Sequence, residues 1–256
     1  AKDLRIMLEH WRQDLASLAR RDRLRALAPR DGRDFASNDY LALAEAPELM
    51  TIAQAALARG VPVGAGGSRL LRGNHPEHEA LEEEAAQFFG VESALYFSAG
   101  FSANEALLAT LPQRDDLILH DQLIHASAHD GMRLSRAPYR PFAHNDMNAL
   151  EDALRDWRRN GGMGRPWIAV ESLYSMDGDF APLDDVVALA TRYDGFVLID
   201  EAHATGVYGP RGRGRAAAFE GRENIVTVHT CGKALGVSGA LVCLARPLRD
   251  FIVNRG

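Results

Sequence analysis

Residues 224–243 read NIVTVHTCGKALGVSGALVC, which is two apolar runs joined by a glycine-containing loop. The runs at 225–229 and 239–244 are typical of buried strands. The loop carries Lys233, and Lys2 is the only other lysine in a chain with 29 Lys and Arg residues. An arginine keeps its proton, whereas a lysine with a lowered pKa can form a Schiff base. Because most lysines are solvated surface residues, scarcity alone only suggests a reactive amine.

Similar apolar runs recur upstream of this segment. They fall at 94–98, 117–119, 167–171 and 196–199. Helical patterns separate most of the runs, and we predict helices at 104–111, 126–134, 147–158 and 183–192. Strands that alternate with helices indicate the α/β fold class with a mostly parallel sheet.

The first third of the chain has a different pattern. Spacing of apolar residues predicts an amphipathic helix over 3–28, ending before Pro29, and further helices over 47–59 and 75–89. Residues 34–43 predict a short strand and turn. The stretch 60–73 (GVPVGAGGSRLLRG) is too rich in glycine for a helix, and we predict a loop that approaches a ligand or partner closely. We divide the chain into an N-terminal helix and arm, 1–45, and a large domain, 46–256.

Composition excludes several classes of protein. The net charge of −6 gives no basic footprint for nucleic acid, although residues 1–33 are locally basic. No run of about 18 apolar residues predicts a membrane span. The two cysteines, Cys231 and Cys243, form no disulfide framework, so we expect a cytoplasmic protein.

Two segments that follow strands have the residues of a ligand site. Gly100 lies where a strand meets a helix, and backbone N–H groups at such a helix start bind phosphate, although the same turn is common without a ligand. His125 follows the strand at 117–119, where its ring can stack on a flat cofactor or shuttle a proton. His129 has helical metal-ligand spacing with His125, but no third ligand is near in sequence, so we predict no metal.

Two more segments follow strands in the same way. Ser175, in the loop 171–179, can donate a hydrogen bond to a cofactor, or it can serve only the turn. The strand at 196–199 runs into Asp200, and a partly buried carboxylate needs a cation such as a protonated pyridine nitrogen. If the backbone stays extended, Asp200 and Ala202 face one side and Glu201 and His203 face the other.

A nucleotide-binding P-loop is the competing explanation for the acidic strand end. That motif requires Gly-Lys followed by Ser or Thr, but Ala234 follows Gly232-Lys233, so this alternative fails. Thr230 can instead bond a phosphate, and Lys233 can reach a bound aldehyde. Cys231 as a nucleophile lacks a supporting signature. A phosphate cradle, a stacking group, a carboxylate and one amine are the parts of a pyridoxal 5′-phosphate (PLP) site.

Six strings resemble the α-oxoamine synthase family, a branch of the aminotransferase-like PLP enzymes. They are SNDYLAL (37–43), GAGGSRLLRGNHPEHEALEEE (64–84), FSAGFSANEALL (97–108), ESLYSMDGDFAPL (171–183), DEAHATGVYGPRGRG (200–214) and TVHTCGKALGVSGA (227–240). The resemblance implies PLP fold type I, with a mostly parallel seven-stranded sheet. It also implies a C-terminal small domain that is absent from these 256 residues and supplies an arginine for the amino-acid carboxylate. On this ground we expect the 256-residue chain alone to show little synthase activity.

The resemblance also assigns roles to individual residues. Lys233 would be the lysine that binds PLP covalently, with Asp200 on the ring nitrogen and His125 stacked on the ring. His203 and Ser175 would bond the ring hydroxyl oxygen. The phosphate would be held by Gly100, Phe101 and Thr230, and the substrate by Arg25, Asn38 and His125.

The implied reaction is a decarboxylating condensation of L-alanine with a pimeloyl thioester, carried by CoA or acyl carrier protein. Family members that use glycine with acetyl-CoA or succinyl-CoA, or serine with palmitoyl-CoA, are alternatives, as is a non-catalytic PLP-binding relative. Arg72-Gly73 departs from the family's more frequent Ser-Gly and leaves the acyl-donor contacts open. Relatives are homodimers, so a second copy of the chain is the expected partner.

Overall fold

The computed structural model describes residues 7–256, and the chain divides into two compact units between Ser37 and Asn38. The first unit contains helix α1 (Glu9–Arg20), followed by irregular chain. The helix expected over 3–28 is therefore shorter at its C-terminal end, and residues 3–6 lie outside the described residues. The predicted division at 45 and 46 stays a prediction.

The second unit is an α/β structure around one sheet. Its helices are α2 (Pro47–Ala58), α3 (Pro76–Phe89), α4 (Gly100–Thr110), α5 (Ala126–Leu134), α6 (Met147–Arg159), α7 (Leu183–Arg192) and α8 (Arg246–Arg255). Its strands are β1 (Ser93–Phe97), β2 (Leu117–Asp121), β3 (Tyr139–Phe142), β4 (Pro166–Glu171), β5 (Phe196–Asp200), β6 (Ile225–Thr230) and β7 (Ala240–Leu244). Across residues 7–256, no helix combines the length and the apolar character that crossing a membrane requires.

The sheet has seven strands in the order β1-β7-β6-β5-β4-β2-β3. The pairs among β2 to β6 are parallel, whereas β7 runs antiparallel to both of its neighbours, β6 and β1. Six strands therefore point the same way, and their carboxyl ends share one edge. The predicted mostly parallel seven-stranded sheet is confirmed.

Apolar side chains cover both faces of this sheet. Alternate residues of β4 enter different cores, with Trp167 and Ala169 in one cluster and Ile168 and Val170 in the other. The first cluster also contains residues of α4, α5 and α8, and the second contains residues of α6 and α7. Burial on both faces explains why these strands are continuously apolar in sequence.

Several local expectations were wrong or incomplete. Residues 34–43 form turns and no strand, because the Asp39 carboxylate accepts hydrogen bonds from the backbone N–H groups of Leu43 (2.9 Å) and Ala44 (3.1 Å). The glycine-rich loop contains a short π-helix, Arg69–Gly73, capped by Ser68. Strand β3 went unpredicted because it is a four-residue edge strand that contains Pro141.

Candidate active site

The carboxyl edge of the sheet carries a small cavity of about 130 Å³. Residues at the ends of β4, β5 and β6 contribute to its wall, together with the start of α4 and the segment that leads into α5. The lining residues are Gly100, Phe101, Asn104, His125, Ser127, Glu171, Asp200, Ala202, His203, Thr230 and Lys233. Seven of the predicted site residues are therefore in one place. Parallel strands bring them together because their carboxyl ends meet at one edge.

One wall of the cavity is the amino terminus of α4. Its N-cap residue, Ala99, makes no side-chain capping bond, so the first-turn N–H groups depend on other acceptors. A Cβ atom at Gly100 would lie 3.3 Å from Thr230 Oγ1, which is tighter than ordinary packing. Glycine therefore lets the start of α4 approach the end of β6 closely.

Asp200 is the buried carboxylate of the site. Its Oδ2 accepts a hydrogen bond of 2.6 Å from Asn104 Nδ2, and its Oδ1 accepts one of 2.9 Å from the backbone N–H of Ala202. Asn104 also donates to Ser127 Oγ at 3.1 Å. Within residues 7–256, Asn104 Oδ1 is buried without a hydrogen-bond partner. Two hydrogen bonds thus fix the Asp200 carboxylate, and the Asn104 side chain that donates one of them has an oxygen without a donor among the described residues.

Lys233 lies beside His203 in the same cavity. Nζ of Lys233 is 2.6 Å from His203 Nε2, and Tyr40 Oη is 2.6 Å from the other ring nitrogen, Nδ1. Burial lowers the pKa of Lys233 below its ordinary 10.5, against the opposing charges of Asp200 and Glu171. Burial, followed by the neighbouring lysine, lowers the pKa of His203 to about 4. The imidazole is therefore neutral at pH 7 and the amine is more easily deprotonated than an exposed lysine.

His125 lines the cavity and is exposed to solvent. Its Nδ1 accepts a hydrogen bond from the Ser127 backbone N–H (3.2 Å) and lies 2.9 Å from Ser127 Oγ, so the ring orientation is fixed. Phe101 meets this ring edge-on at 6.4 Å between centroids. His129 instead contacts His120 edge-on at 5.1 Å.

Strand β5 ends at Asp200, and the chain turns there instead of continuing extended. Asp200 and His203 therefore both line the cavity, and the alternation expected for an extended backbone does not apply beyond Asp200. Glu201 points elsewhere, where it accepts hydrogen bonds from Ser172 Oγ (2.8 Å) and the Arg215 backbone N–H (3.1 Å). Of the two adjacent acids, Asp200 alone belongs to this cavity wall.

Three predicted residues are not part of the cavity lining among the described residues. Ser175 is exposed in the loop after β4. Asn38 is exposed, and its Oδ1 accepts a 3.1 Å hydrogen bond from Tyr40 Oη. Arg25 lies in the first unit and is exposed. Their assigned roles remain predictions.

Sequence reasoning missed four residues that line or support the site. Asn104 and Ser127 lie on α4 and at the start of α5, where a polar residue on a buried helix face is the available signal. Glu171 ends β4 directly opposite Asp200 in the register, and burial, then the Asp200 charge, raise its pKa to about 8. Tyr40 stands in the SNDYLAL string, but no local pattern links it to His203, which lies 163 residues later.

Comparison with known proteins gives consistent matches. The aminotransferase class I and II family matches residues 30–254. A putative 8-amino-7-oxononanoate synthase from Bacillus licheniformis is 45% identical over 221 residues, which are 86% of this chain and 57% of that protein. The 8-amino-7-oxononanoate synthase from Citrifermentans bemidjiense is 44% identical over 220 residues, 86% of this chain and 55% of that protein. The chain spans a little over half the length of these curated relatives.

Solved structures agree with the sequence matches. A serine palmitoyltransferase from S. paucimobilis, solved with a PLP–myriocin aldimine, superposes with a TM-score of 0.85 at 26% identity, covering 99% of this chain and 69% of that one. An 8-amino-7-oxononanoate synthase from Francisella tularensis has a TM-score of 0.71 at 30% identity, covering 86% of this chain and 61% of that one. The predicted resemblance to α-oxoamine synthases is confirmed by these matches, and the chain belongs to the aminotransferase class I and II family.

Proposed function

We propose that this chain is the PLP-binding part of an α-oxoamine synthase that condenses L-alanine with a pimeloyl thioester, with loss of CO₂. The product would be 8-amino-7-oxononanoate, an intermediate of biotin biosynthesis. The observation that carries the proposal is the cavity itself, in which a partly buried amine, a buried carboxylate and a helix amino terminus converge.

The cavity wall fits a phosphate group at one end. Backbone N–H groups at the start of α4 are suited to an anion, and the positive end of the helix dipole favours negative charge there. Gly100 leaves room next to Thr230, which a side chain at this position would narrow. Gly100 and Phe101, through their backbone, and Thr230, through its hydroxyl, would hold the phosphate.

The part of the wall around Asp200 fits a protonated pyridine ring. Asp200 is 6% exposed, and a carboxylate so placed is favourable only when a cation meets it. Asn104 Oδ1 is an acceptor without a donor, as expected where a ligand completes a polar site. Asp200 would pair with the ring nitrogen, His125 would cover the ring face, and His203 with Ser175 would bond the ring hydroxyl.

Lys233 supplies the amine of the site. Its lowered pKa raises the fraction of free amine, the form that would hold the aldehyde of PLP and, once freed from it, would accept a proton. When bound, PLP withdraws electrons and stabilises a carbanion at the Cα of an amino acid. We assign the removal of the alanine α-proton to Nζ of Lys233. The neutral imidazole of His203, 2.6 Å from that atom, keeps the amine oriented towards the cavity.

The substrates are inferred from the relatives. Two curated proteins that share 44–45% identity with this chain are named as 8-amino-7-oxononanoate synthases, one of them putatively, and this similarity favours alanine and a pimeloyl donor. Arg25 and Asn38 stay the proposed substrate residues. A serine palmitoyltransferase-like reaction is the second candidate, because that enzyme's structure covers 99% of this chain. The sequence identity between that enzyme and this chain is lower, at 26%.

Spectroscopy of the PLP-loaded chain distinguishes these candidates. L-alanine, glycine and L-serine are added separately, and the PLP absorbance is followed before and after addition of pimeloyl-CoA or palmitoyl-CoA. The proposal expects a further spectral change only for L-alanine together with the pimeloyl thioester. A response to L-serine with palmitoyl-CoA would replace the alanine assignment. Because a spectral response requires binding at PLP but no sustained turnover, it can be read although the chain alone is expected to show little synthase activity, and no response to any amino acid would favour a non-catalytic PLP-binding protein.

We also propose that the chain forms a homodimer in the cytoplasm. Helix α2 exposes Met50, Ile52 and Leu57 by 60%, 64% and 54%, with Ile52 on the opposite side of the helix from the other two, and apolar side chains so exposed favour burial against a second copy. Both cysteines are free, as in proteins of a reducing compartment. Light scattering should give twice 28.0 kDa, and Ile52→Asp should shift the mass towards that of the monomer.

A further inference from the structure

A short series of polar side chains connects the reactive lysine with the surface. Nζ of Lys233 lies 2.6 Å from Nε2 of His203, and Nδ1 of the same ring lies 2.6 Å from Tyr40 Oη. The tyrosine hydroxyl in turn lies 3.1 Å from its acceptor, Asn38 Oδ1. His203 is 9% exposed and Tyr40 is 43% exposed. Both nitrogens of a buried imidazole are thus engaged, one by the lysine and one by the tyrosine.

The charge of the lysine restricts where the imidazole carries its proton. A protonated amine has only donors, so it requires an unprotonated Nε2, and the neutral ring must then carry its proton on Nδ1. This Nδ1–H needs an acceptor, which is the oxygen of Tyr40, while the tyrosine's own proton goes to Asn38. A free amine both donates and accepts, and it tolerates either form of the ring. The tyrosine oxygen is therefore needed most when the amine is charged.

We propose that Tyr40 is a positioning residue for Lys233, which acts through His203 to stabilise the protonated amine by accepting the Nδ1–H that this state requires. The proposal deepens the proposed function, because Lys233 must be protonated and deprotonated in turn when it serves as the base. In the cofactor-free chain, Tyr40 would set how strongly the Lys233 amine holds its proton.

Besides Tyr40, other ionisable groups near Lys233 and His203 influence the protonation of the two side chains. Asp200 faces both Lys233 and His203, Glu171 faces Lys233, and His125 faces His203. Asp200 and Glu171 favour the charged amine, whereas burial opposes it. Because burial lowers the pKa of His203 to about 4, the ring is neutral wherever the lysine titrates. One ring proton is then available, and its position follows the lysine.

A titration of the cofactor-free chain tests the proposal directly. Lysine labelled with ¹³C at Cε gives two signals, since Lys2 and Lys233 are the only lysines, and Lys233→Arg identifies the second. The hydrogen bond between His203 Nδ1–H and Tyr40 contributes about 1 kcal/mol. Since one pKa unit equals about 1.36 kcal/mol, its loss corresponds to several-fold weaker proton binding by Lys233. Tyr40→Phe should therefore lower the titration midpoint of Lys233 by roughly half a unit to one unit.

Tyr208→Phe is the matched control, because Tyr208 is similarly exposed, at 40%, and lies outside the cavity lining. It should leave the midpoint unchanged. His203→Gln removes the intermediary, so Tyr40→Phe should have no additional effect in that background. A Tyr40→Phe midpoint equal to that of the parent would overturn the proposal, as would an undiminished effect in the His203→Gln background.

The parent chain provides a second test, in which a variant serves only to assign one signal. With ¹⁵N-labelled histidine, and His203 assigned by its absence in His203→Gln, Nδ1 should carry the proton at a pH where Lys233 is charged. A proton on Nε2 at that pH would contradict the proposal. Both titrations are made without PLP, so they succeed or fail independently of the proposed function, which depends on PLP binding and the response to L-alanine.

Discussion

Replacing Glu171 by Gln measures how much a second carboxyl group beside Asp200 lowers the free energy of unfolding. Glu171 is 3% exposed at the end of β4, next to Asp200 at the end of β5. Burial first, and then the Asp200 charge, raise its pKa from the ordinary 4.5 to about 8, although the His125 backbone N–H and Lys233 oppose the shift. A glutamine has nearly the same shape and stays neutral at every pH.

The sign of the effect follows from proton binding. Between pH 4.5 and 8 the folded chain holds the Glu171 proton while the unfolded chain has lost it, so stability falls as the pH rises through this window. Each pH unit costs up to 1.36 kcal/mol, with less at the two ends of the window. From pH 5 to pH 8 the loss attributable to Glu171 is about 3 kcal/mol.

Urea denaturation of the parent and of Glu171→Gln at pH 5 and pH 8 measures this loss. Relative to the parent, the free energy of unfolding of Glu171→Gln should be about 3 kcal/mol higher at pH 8 than at pH 5. The other titrating groups are the same in both proteins, so their contributions cancel in this comparison. Glu223→Gln is the control, since Glu223 is exposed and its replacement should change stability by no more than about 0.5 kcal/mol at either pH. A difference that is the same at both pH values would show that Glu171 ionises normally in the folded chain and would refute the reasoning.

Two further predictions concern the thiols and the buried carboxylate. Burial raises the pKa of Cys231 to about 11 and that of Cys243 well above its ordinary 9.0. Both thiols should therefore resist a disulfide reagent at pH 8 in the folded chain and react at once in urea. Rapid labelling without urea would contradict this. In Asp200→Asn the new side-chain N–H groups face either Asn104 Nδ2 or the Ala202 backbone N–H, both of which are donors. The free energy of unfolding of the cofactor-free chain should therefore fall by about 2 kcal/mol, and calorimetry should show a Tm lower by about 4–8 °C. The exposed Asp250→Asn should change Tm little, and an equal fall in both variants would remove the special role of the buried site.

The strand pattern predicted the site well for a geometric reason. His125, Asp200, Thr230 and Lys233 each follow a run of β-favouring residues, and in a parallel sheet such positions meet at one edge without any further information. Gly100 belongs to the same set, because β1 runs in the same direction as β6 although both pair with the antiparallel β7. Local patterns and topology together were sufficient for these residues.

Other residues depend on tertiary contacts that no local pattern contains. Tyr40 reaches His203 across 163 residues of sequence, and the turn that carries it was predicted to be partly a strand. The turn at Ala202 cancels the alternation expected beyond Asp200, because its backbone N–H bonds back to the Asp200 carboxylate. Ser175 follows a strand as the other residues do, yet its loop leaves it exposed. Position after a strand thus predicts proximity to the edge, and side-chain direction depends on the turn.

The central claim is that Lys233 carries the cofactor, and covalent labelling tests it most directly. The chain is incubated with PLP, reduced with borohydride and digested, and the modified peptide is identified by mass spectrometry. Only two lysines compete, since the other is Lys2. We expect one reduced PLP group on Lys233 and none at that position in Lys233→Arg. Label on Lys2 alone, or equal label in the parent and the variant, would contradict it.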